Sequence, residues 1–471
     1  MWQQETLVEE GPKNFHFFGD DLDLRHTPKK TRSAKTPRLF PHNPQEGLEL
    51  IRSHAMQPIA ITGLGLVCPL GNSVPVALAA ARRGESGIRR YTSPWVDAAH
   101  PHLRERVGGT VVDFDAGDLI DPKFAARQEP AVLFALAAVA EALRQAGLPD
   151  DGDRGRIGCV IGAGLAGAEL WHRALHTAYA AGRPDELPRM AAIAITGTAA
   201  TGQIALRHGF AGPSIAVANA CGSGTSAIVL GADQIRLGRA DVMVVGGCES
   251  SMRSLVSYAS FTDAGMNTTR DPIGACAPFA AGRKGFVLAE GAGVLVLERL
   301  ERARARGARV LGVLAGCAMT NDAYHVIAPE PSGLAWARVM QLALDDAGIS
   351  PDEVDAVSAH ATATPAGDLA ETRAIHRALG ARAKKVPVSS TKSMHGHAFG
   401  AAGAIETALA VAAMDAGIVL PTINLHTPDP ECDLDYVPHE ARRHPTRVLL
   451  KNGFGAGGVA TSLVIRHEAS A

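Results

Sequence analysis

Cys221 stands in SIAVANACGSGTSAIVLGADQIRLG (214–238), where an apolar strand runs through a cluster of tiny residues into an amphipathic helix. Gly222, Ser223 and Gly224 let neighbouring segments approach closely, and the following helix brings backbone N–H groups and its positive end near the sulfur. A free thiol titrates near ~8.5, and a helix N-terminus is one of the settings that lowers this value. The spacing therefore predicts a nucleophilic cysteine. By contrast, Cys159, Cys248 and Cys317 lie inside or at the ends of apolar runs and read as small buried hydrophobes. Two further segments supply partners. DAVSAH ends at His360, and VPVSS leads into TKSMHGHAFGAAGAIETALA, which carries Lys392, His395 and His397. Active groups of layered α/β proteins gather at such strand-to-helix loops. One histidine there is more often structural; two in separate loops point to a site.

The elements that must position these groups alternate in type. Short apolar runs read as buried strands in IAITG (59–63), RIGCVIG (156–162), SIAVAN (214–219), DVMVVGG (241–247) and GVLVLE (293–298). A second series of five follows in RVLGVLAG (309–316), DAVSAH (355–360), VPVSS (386–390), VLLKN (448–452) and TSLVIR (461–466), with helical stretches near 334–347, 367–379 and 400–416. Two halves of five strands imply a duplicated α/β unit, a layered sandwich with its active groups gathered between the halves. The halves divide at 57–305, carrying the nucleophile, and 306–471, carrying the two histidines. Residues 1–56 are polar, include the basic stretch KKTRSAKTPRLFPHNP, and read as a disordered extension. A start codon assigned upstream of Met56 explains them as well as a docking tail does.

Composition narrows the partners. Lys and Arg total 46 against 48 Asp and Glu, which gives no reason to expect nucleic acid or an anionic membrane. Seven scattered cysteines without CxxC pairs argue against a disulfide framework and against a zinc site, and fit a reducing cytoplasm. No apolar run reaches the roughly 18 residues that span a bilayer. With 50 glycines and only 5% aromatics, the interior is expected to be filled by Ala, Val and Leu.

Taken together, ANACGSGTSA around Cys221, AHATATPAGD after His360, STKSMHGHAFGAAGAIE with Lys392 and His397, GFVLAEGAG (285–293) and NGFGAGG (452–458) resemble the β-ketoacyl-acyl carrier protein synthases, over about residues 58 to 467. The resemblance implies a thiolase-like, duplicated five-layered α-β-α-β-α sandwich, a dimer, and decarboxylative Claisen condensation of an acyl chain with a malonyl unit. Both substrates ride on the phosphopantetheine of an acyl carrier protein, with no cofactor or metal of the enzyme's own. It further implies that Cys221 carries the acyl group, and that His360 and His397 donate hydrogen bonds to the enolate, with His360 also able to activate water or assist decarboxylation. Lys392 orients the histidines through a charge network with Glu406 that Asp368 and Glu371 support. The backbone N–H groups of Cys221 and Ala456 form an oxyanion hole, and Thr362 and Thr364 bind the pantetheine arm. An acidic carrier needs a basic surface, for which Arg82, Arg83, Arg89 and Arg90 are candidates.

Three departures stand out against that family. Its fatty-acid enzymes commonly read GFGG where this chain reads GAGG, so at the acyl-pocket gate, Phe454 and Ala456, the bulky side chain is replaced by Ala456. A wider pocket is predicted, accepting longer, branched, unsaturated or polyene-like chains, and polyketide as well as fatty-acid synthesis stands open. His395 occupies a place where a small residue is usual, and Ala280 and Ala281 stand where charged ones are usual. A silent partner subunit that sets chain length, within a heterodimer, is the rival reading; such subunits have usually lost the cysteine that this chain keeps. GAGLAG (162–167) fits GxGxxG after a strand, but lacks the acidic residue that a dinucleotide site would place further on.

Overall fold

The computed structural model describes residues 58–93, 104–117, 120–148, 153–180, 182, 183, 185 and 191–468. The extension expected over residues 1–56 lies outside them. Ten strands form one mixed sheet. The first five are β1 (Ile59–Val67), β2 (Ile157–Gly162), β3 (Ser214–Val217), β4 (Val242–Glu249) and β5 (Gly291–Arg299). The second five are β6 (Gly312–Asn321), β7 (Ala356–Ser358), β8 (Val388–Ser389), β9 (Val448–Phe454) and β10 (Val459–Arg466). All ten coincide with the apolar runs of the sequence.

The sheet order is β8-β7-β9-β10-β6-β1-β5-β4-β2-β3. Read outward from the centre, each half places its first strand innermost, then its fifth, fourth, second and third. Pairing directions repeat as well. The second strand of each half runs parallel to the third and fourth, and the fifth runs antiparallel to the fourth and first. The duplication inferred from element order is thus present in the topology. The two halves also join, which the strand pattern did not disclose: Ile59, Ala60 and Ile61 of β1 pair with Leu314, Val313 and Gly312 of β6. Each half alone would leave its first strand as an open edge, and this contact closes both.

Strands buried on both faces need helices on both sides. On the first half lies α1 (Pro130–Ala146), opened by a proline at its first turn and closed by Gly147 in the left-handed region. Helix α2 (Ser223–Arg236) begins immediately after the nucleophile. In the second half, α3 (Leu334–Ala347) and α4 (Pro365–Leu379) each bury one face, whereas α5 (Phe399–Asp415) is buried all round. An Ala- and Gly-rich helix suits that central place, because small side chains let backbones close up. A Cβ added at Gly224 of α2 would lie 2.9 Å from the Ala404 nitrogen of α5. The tiny residues after Cys221 therefore serve the contact between α2 and α5, whose N-terminal ends both carry site residues.

Candidate active site

The nucleophile sits on a strained turn. Between β3 and α2, the three residues Ala220–Gly222 make a tight 3-10 turn, and Ala220 adopts φ +46°, a region that a residue with a Cβ enters at a cost. Ser223 locks it: its Oγ accepts the Asn219 N–H at 2.9 Å and donates to the Ala220 carbonyl at 2.6 Å. The Cys221 sulfur packs against Phe399 and its neighbours in an apolar cluster, with the Cys221 and Ala456 backbone N–H groups directed at it. Burial pushes the thiol up to about 12, despite the Lys392 charge and the two N–H groups acting to lower it. This corrects the sequence expectation of a depressed thiol: the cost of placing a thiolate against an aromatic wall outweighs the helix end, even though Cys221 keeps part of its surface toward the open cavity.

His360 follows β7. Its backbone N–H donates to Glu371 Oε1 at 2.8 Å, and the next N–H, of Ala361, donates to Glu371 Oε2 at 2.7 Å. Its carbonyl accepts from Lys392 Nζ at 2.5 Å. His397 is tied down by GFVLAEGAG: its N–H donates to the Val287 carbonyl at 2.7 Å and its carbonyl accepts from Ala289 at 2.9 Å. The two imidazoles meet edge to face, 5.6 Å between centroids at 87°. Burial, reinforced by the Lys392 charge, holds both well below the usual histidine range, so both are neutral near pH 7 and each carries one N–H to donate.

Beneath them lies a buried charge cluster. Glu406, on α5, pairs with Lys392 and also with Lys451 of β9, whose Nζ is 2.7 Å from Glu406 Oε2. Burial alone would raise the Glu406 carboxyl, but the two ammonium groups bring it down to about 2. Lys451 and Asn452, whose Nδ2 donates to Glu371 Oε1 at 3.0 Å, were missed in the sequence. Their signal was a lysine and an asparagine inside the otherwise apolar VLLKN, an unusual placement for a buried strand. Glu371 thus sits between His360 and Asn452. Asp368 does not share in this cluster: it accepts the Phe279 N–H at 2.8 Å and faces Arg283 Nε at 3.4 Å, fixing the segment that precedes GFVLAEGAG. Burial raises its carboxyl to about 7.

The remaining sequence candidates fall as follows. Thr362 and Thr364 hydrogen-bond each other at 3.2 Å on the cavity wall. Phe454 is buried and stacks on Trp336, centroids 3.9 Å apart. His395 is buried with Nε2 3.0 Å from Thr391 Oγ1, and burial brings it down to about 4. Ala280 forms a backbone bridge with Pro428, and the Ala281 N–H donates to the Thr427 carbonyl at 2.8 Å. Of the arginines, Arg83 pairs with Glu85, and Arg89 donates to the carbonyls of Pro69, Gly87 and Thr110, a structural placement. In GAGLAG, a Cβ at Gly162 would lie 2.4 Å from Ser223 backbone atoms, so that glycine serves the nucleophile turn.

One cavity of about 240 Å³, open to solvent, is lined by Cys221, His360, His397, Thr362, Thr364, Phe454 and Ala456. The sequence places these residues in separate motifs; the fold brings them to one space. The arrangement offers a nucleophile, a pair of N–H donors at the sulfur, and two neutral imidazoles.

The chain matches the family models for the N-terminal domain of beta-ketoacyl synthase over residues 56–303 and for the C-terminal domain over 311–426. It is 39% identical over 409 residues to a 3-oxoacyl-[acyl-carrier-protein] synthase 2 of Staphylococcus aureus (strain N315), covering 87% of this chain and 98% of that one. A synthase 2 of Synechocystis sp. (strain ATCC 27184 / PCC 6803 / Kazusa) is 40% identical over 411 residues, with 87% and 97% covered. Among solved structures, a ketosynthase bound to a hexaketide and in complex with its type II PKS acyl-carrier protein is similar at TM-score 0.80 and 33% identity, over 87% of this chain and 99% of that one. The ishigamide ketosynthase/chain length factor is similar at TM-score 0.78 and 33% identity, over 88% and 100%.

Proposed function

The chain belongs to the beta-ketoacyl synthase family, and from that premise we propose how its residues divide the work of joining a Cys221-bound acyl chain to a malonyl unit on an acyl carrier protein. The reaction is a decarboxylative condensation giving a 3-oxoacyl carrier thioester, an acyltransferase chemistry. The observation that carries the proposal is the gathering of Cys221, His360, His397 and the Ala456 N–H in one cavity.

In the first step the Cys221 sulfur attacks the acyl thioester carbonyl. Negative charge on that oxygen is accepted by the Cys221 and Ala456 N–H groups, already fixed before charge develops. The carrier thiolate leaves and takes up the cysteine proton. In the second, the malonyl C–C bond breaks, carbon dioxide departs, and the enolate oxygen accepts hydrogen bonds from neutral His360 and His397. The enolate carbon then attacks the acyl-Cys221 carbonyl, the C–S bond breaks, and the departing Cys221 sulfur takes up a proton from solvent, which restores the thiol. Neutral imidazoles suit this role, because a donor that stays uncharged near pH 7 costs little to keep buried. Lys392 acts through His360, holding its carbonyl, while Glu406 pairs with Lys392 and Lys451 pairs with Glu406. Thr362 and Thr364 hydrogen-bond the pantetheine arm. No cofactor or metal of the enzyme's own takes part.

A dimer fits the exposed outer edge of β3, whose half-open backbone invites a paired strand from a second subunit. That subunit is either a second copy or a chain-length partner. Retention of Cys221 with both histidines favours the catalytic reading over a silent subunit.

The test is product formation. Wild type supplied with acyl- and malonyl-loaded carrier protein should release one carbon dioxide per 3-oxoacyl carrier formed. His360→Ala and His397→Ala should each lose on the order of 10²–10³ in rate, as lost oxyanion donors do. Carbon dioxide release without any condensed product from wild type would contradict the reading.

A further inference from the structure

Aromatic residues make up 5% of the chain, yet the cavity wall carries Phe261, Phe286, Phe399, Trp336 and Phe454. One of them is placed unlike the others. Phe399 opens α5 with φ +41°, a strained conformation for a bulky residue. Its ring lies 4.3 Å from that of Phe261 and stacks on His397 at 4.9 Å and 21°, while Phe286 meets it edge-on at 5.7 Å. The same cluster packs against the Cys221 sulfur.

The backbone behind this ring cannot retreat. A Cβ added at the next residue, Gly400, would stand 2.1 Å from the Gly164 nitrogen and 2.6 Å from Ala163. Position 456, where a ring would otherwise close the pocket beside the sulfur, is alanine. Bulk next to the nucleophile is therefore supplied from α5, on a clamped main chain.

Resting on the condensing-enzyme reading, we infer that Phe399 is a specificity-determining residue: its ring is the wall along which the Cys221-bound acyl chain lies, and it sets the bulk and length accepted. Phe261, from the partly exposed helix Leu255–Phe261, forms the facing side. Because the ring also stacks on His397, the same residue joins the chain-holding wall to one of the two enolate donors.

The experiment is competitive acylation. Wild type, Phe399→Leu and Phe399→Met are mixed with equimolar short and long acyl carrier proteins, and the Cys221 adducts are resolved by intact mass. Each variant is first checked by thermal melting, and the reading is taken from whichever variant melts as wild type does. The ratio of long to short adduct should rise on the order of tenfold. A Phe399→Trp variant should move it the other way. An unchanged ratio, with wild type itself acylated, would overturn the role of Phe399 and leave the condensing reading intact. Absence of any adduct on wild type would instead remove both.

Discussion

Glu371 holds His360 by its main chain: Oε1 accepts the His360 N–H at 2.8 Å, so the imidazole is placed without spending either ring nitrogen on that contact. The same carboxylate takes the Ala361 N–H and the Asn452 amide. Burial raises the carboxyl, and these three donors with the Lys451 charge act to keep it ionised.

Replacing Glu371 should therefore separate fold from chemistry by degree. Glu371→Ala leaves three buried donors unmatched, the His360 and Ala361 N–H groups and the Asn452 amide, each costing roughly 1–3 kcal/mol, and should lower both stability and condensation rate. Glu371→Gln keeps one acceptor oxygen and should fall between the two. Urea unfolding beside the rate assay measures this. Equal stability of the Ala variant and wild type would refute the anchoring role.

The charge cluster makes an asymmetric prediction. Glu406→Gln strands two buried ammonium groups and should destabilise by roughly 3–5 kcal/mol, the scale for a buried charge losing its partner. Lys451→Met leaves a Lys392–Glu406 pair and should cost less. Adding Lys451→Met to Glu406→Gln should recover part of the loss. Simple additivity in denaturant melts would show that the three groups do not act as a unit.

These contrasts bear on what the sequence could disclose. All ten strands and the site motifs were legible because each strand is a short apolar run and each motif is local: Cys221 in its tiny-residue turn, His360 and His397 after buried strands. Contacts between elements were not. Nothing in the pattern of β1 and β6 distinguishes an open edge from a paired one. Asp368 and Glu371 lie three residues apart on α4 with similar chemistry, and only the fold sends one to His360 and the other to Phe279. The Cys221 thiol was misjudged because its helix is local while the aromatic pocket that buries it comes from three distant segments.

Histidine burial fixes a pH signature. His360, His395 and His397 all titrate below the unfolded value near ~6.5. The unfolded chain then binds more protons than the native one, so their contribution is full above that value and lost as pH falls toward the folded pKa, about 4 for His395. Asp368 and Glu129, raised to about 7, act in the opposite sense. The comparison is thus best made against His395→Asn. Between pH 6.5 and 4, wild type should lose up to about 1.4 kcal/mol per pH unit relative to that variant. The acid limb of kcat/KM should also lie below ~6.5. A parallel pair of stability curves would refute the buried-neutral assignment of His395.

Filling the gate should narrow the substrate range. Ala456→Phe adds a ring beside Cys221 and should shift kcat/KM toward shorter, unbranched chains on the order of tenfold, while leaving the 456 N–H in place. An acyl-length profile identical to that of wild type would mean that position 456 does not face the chain.

The most direct measurement is intact mass of wild type and Cys221→Ala after mixing with acyl carrier protein, followed by addition of malonyl carrier protein. The account predicts one acyl adduct on wild type only, discharged as 3-oxoacyl carrier appears. An adduct on the Ala variant, or none on wild type across a varied acyl panel, would contradict it.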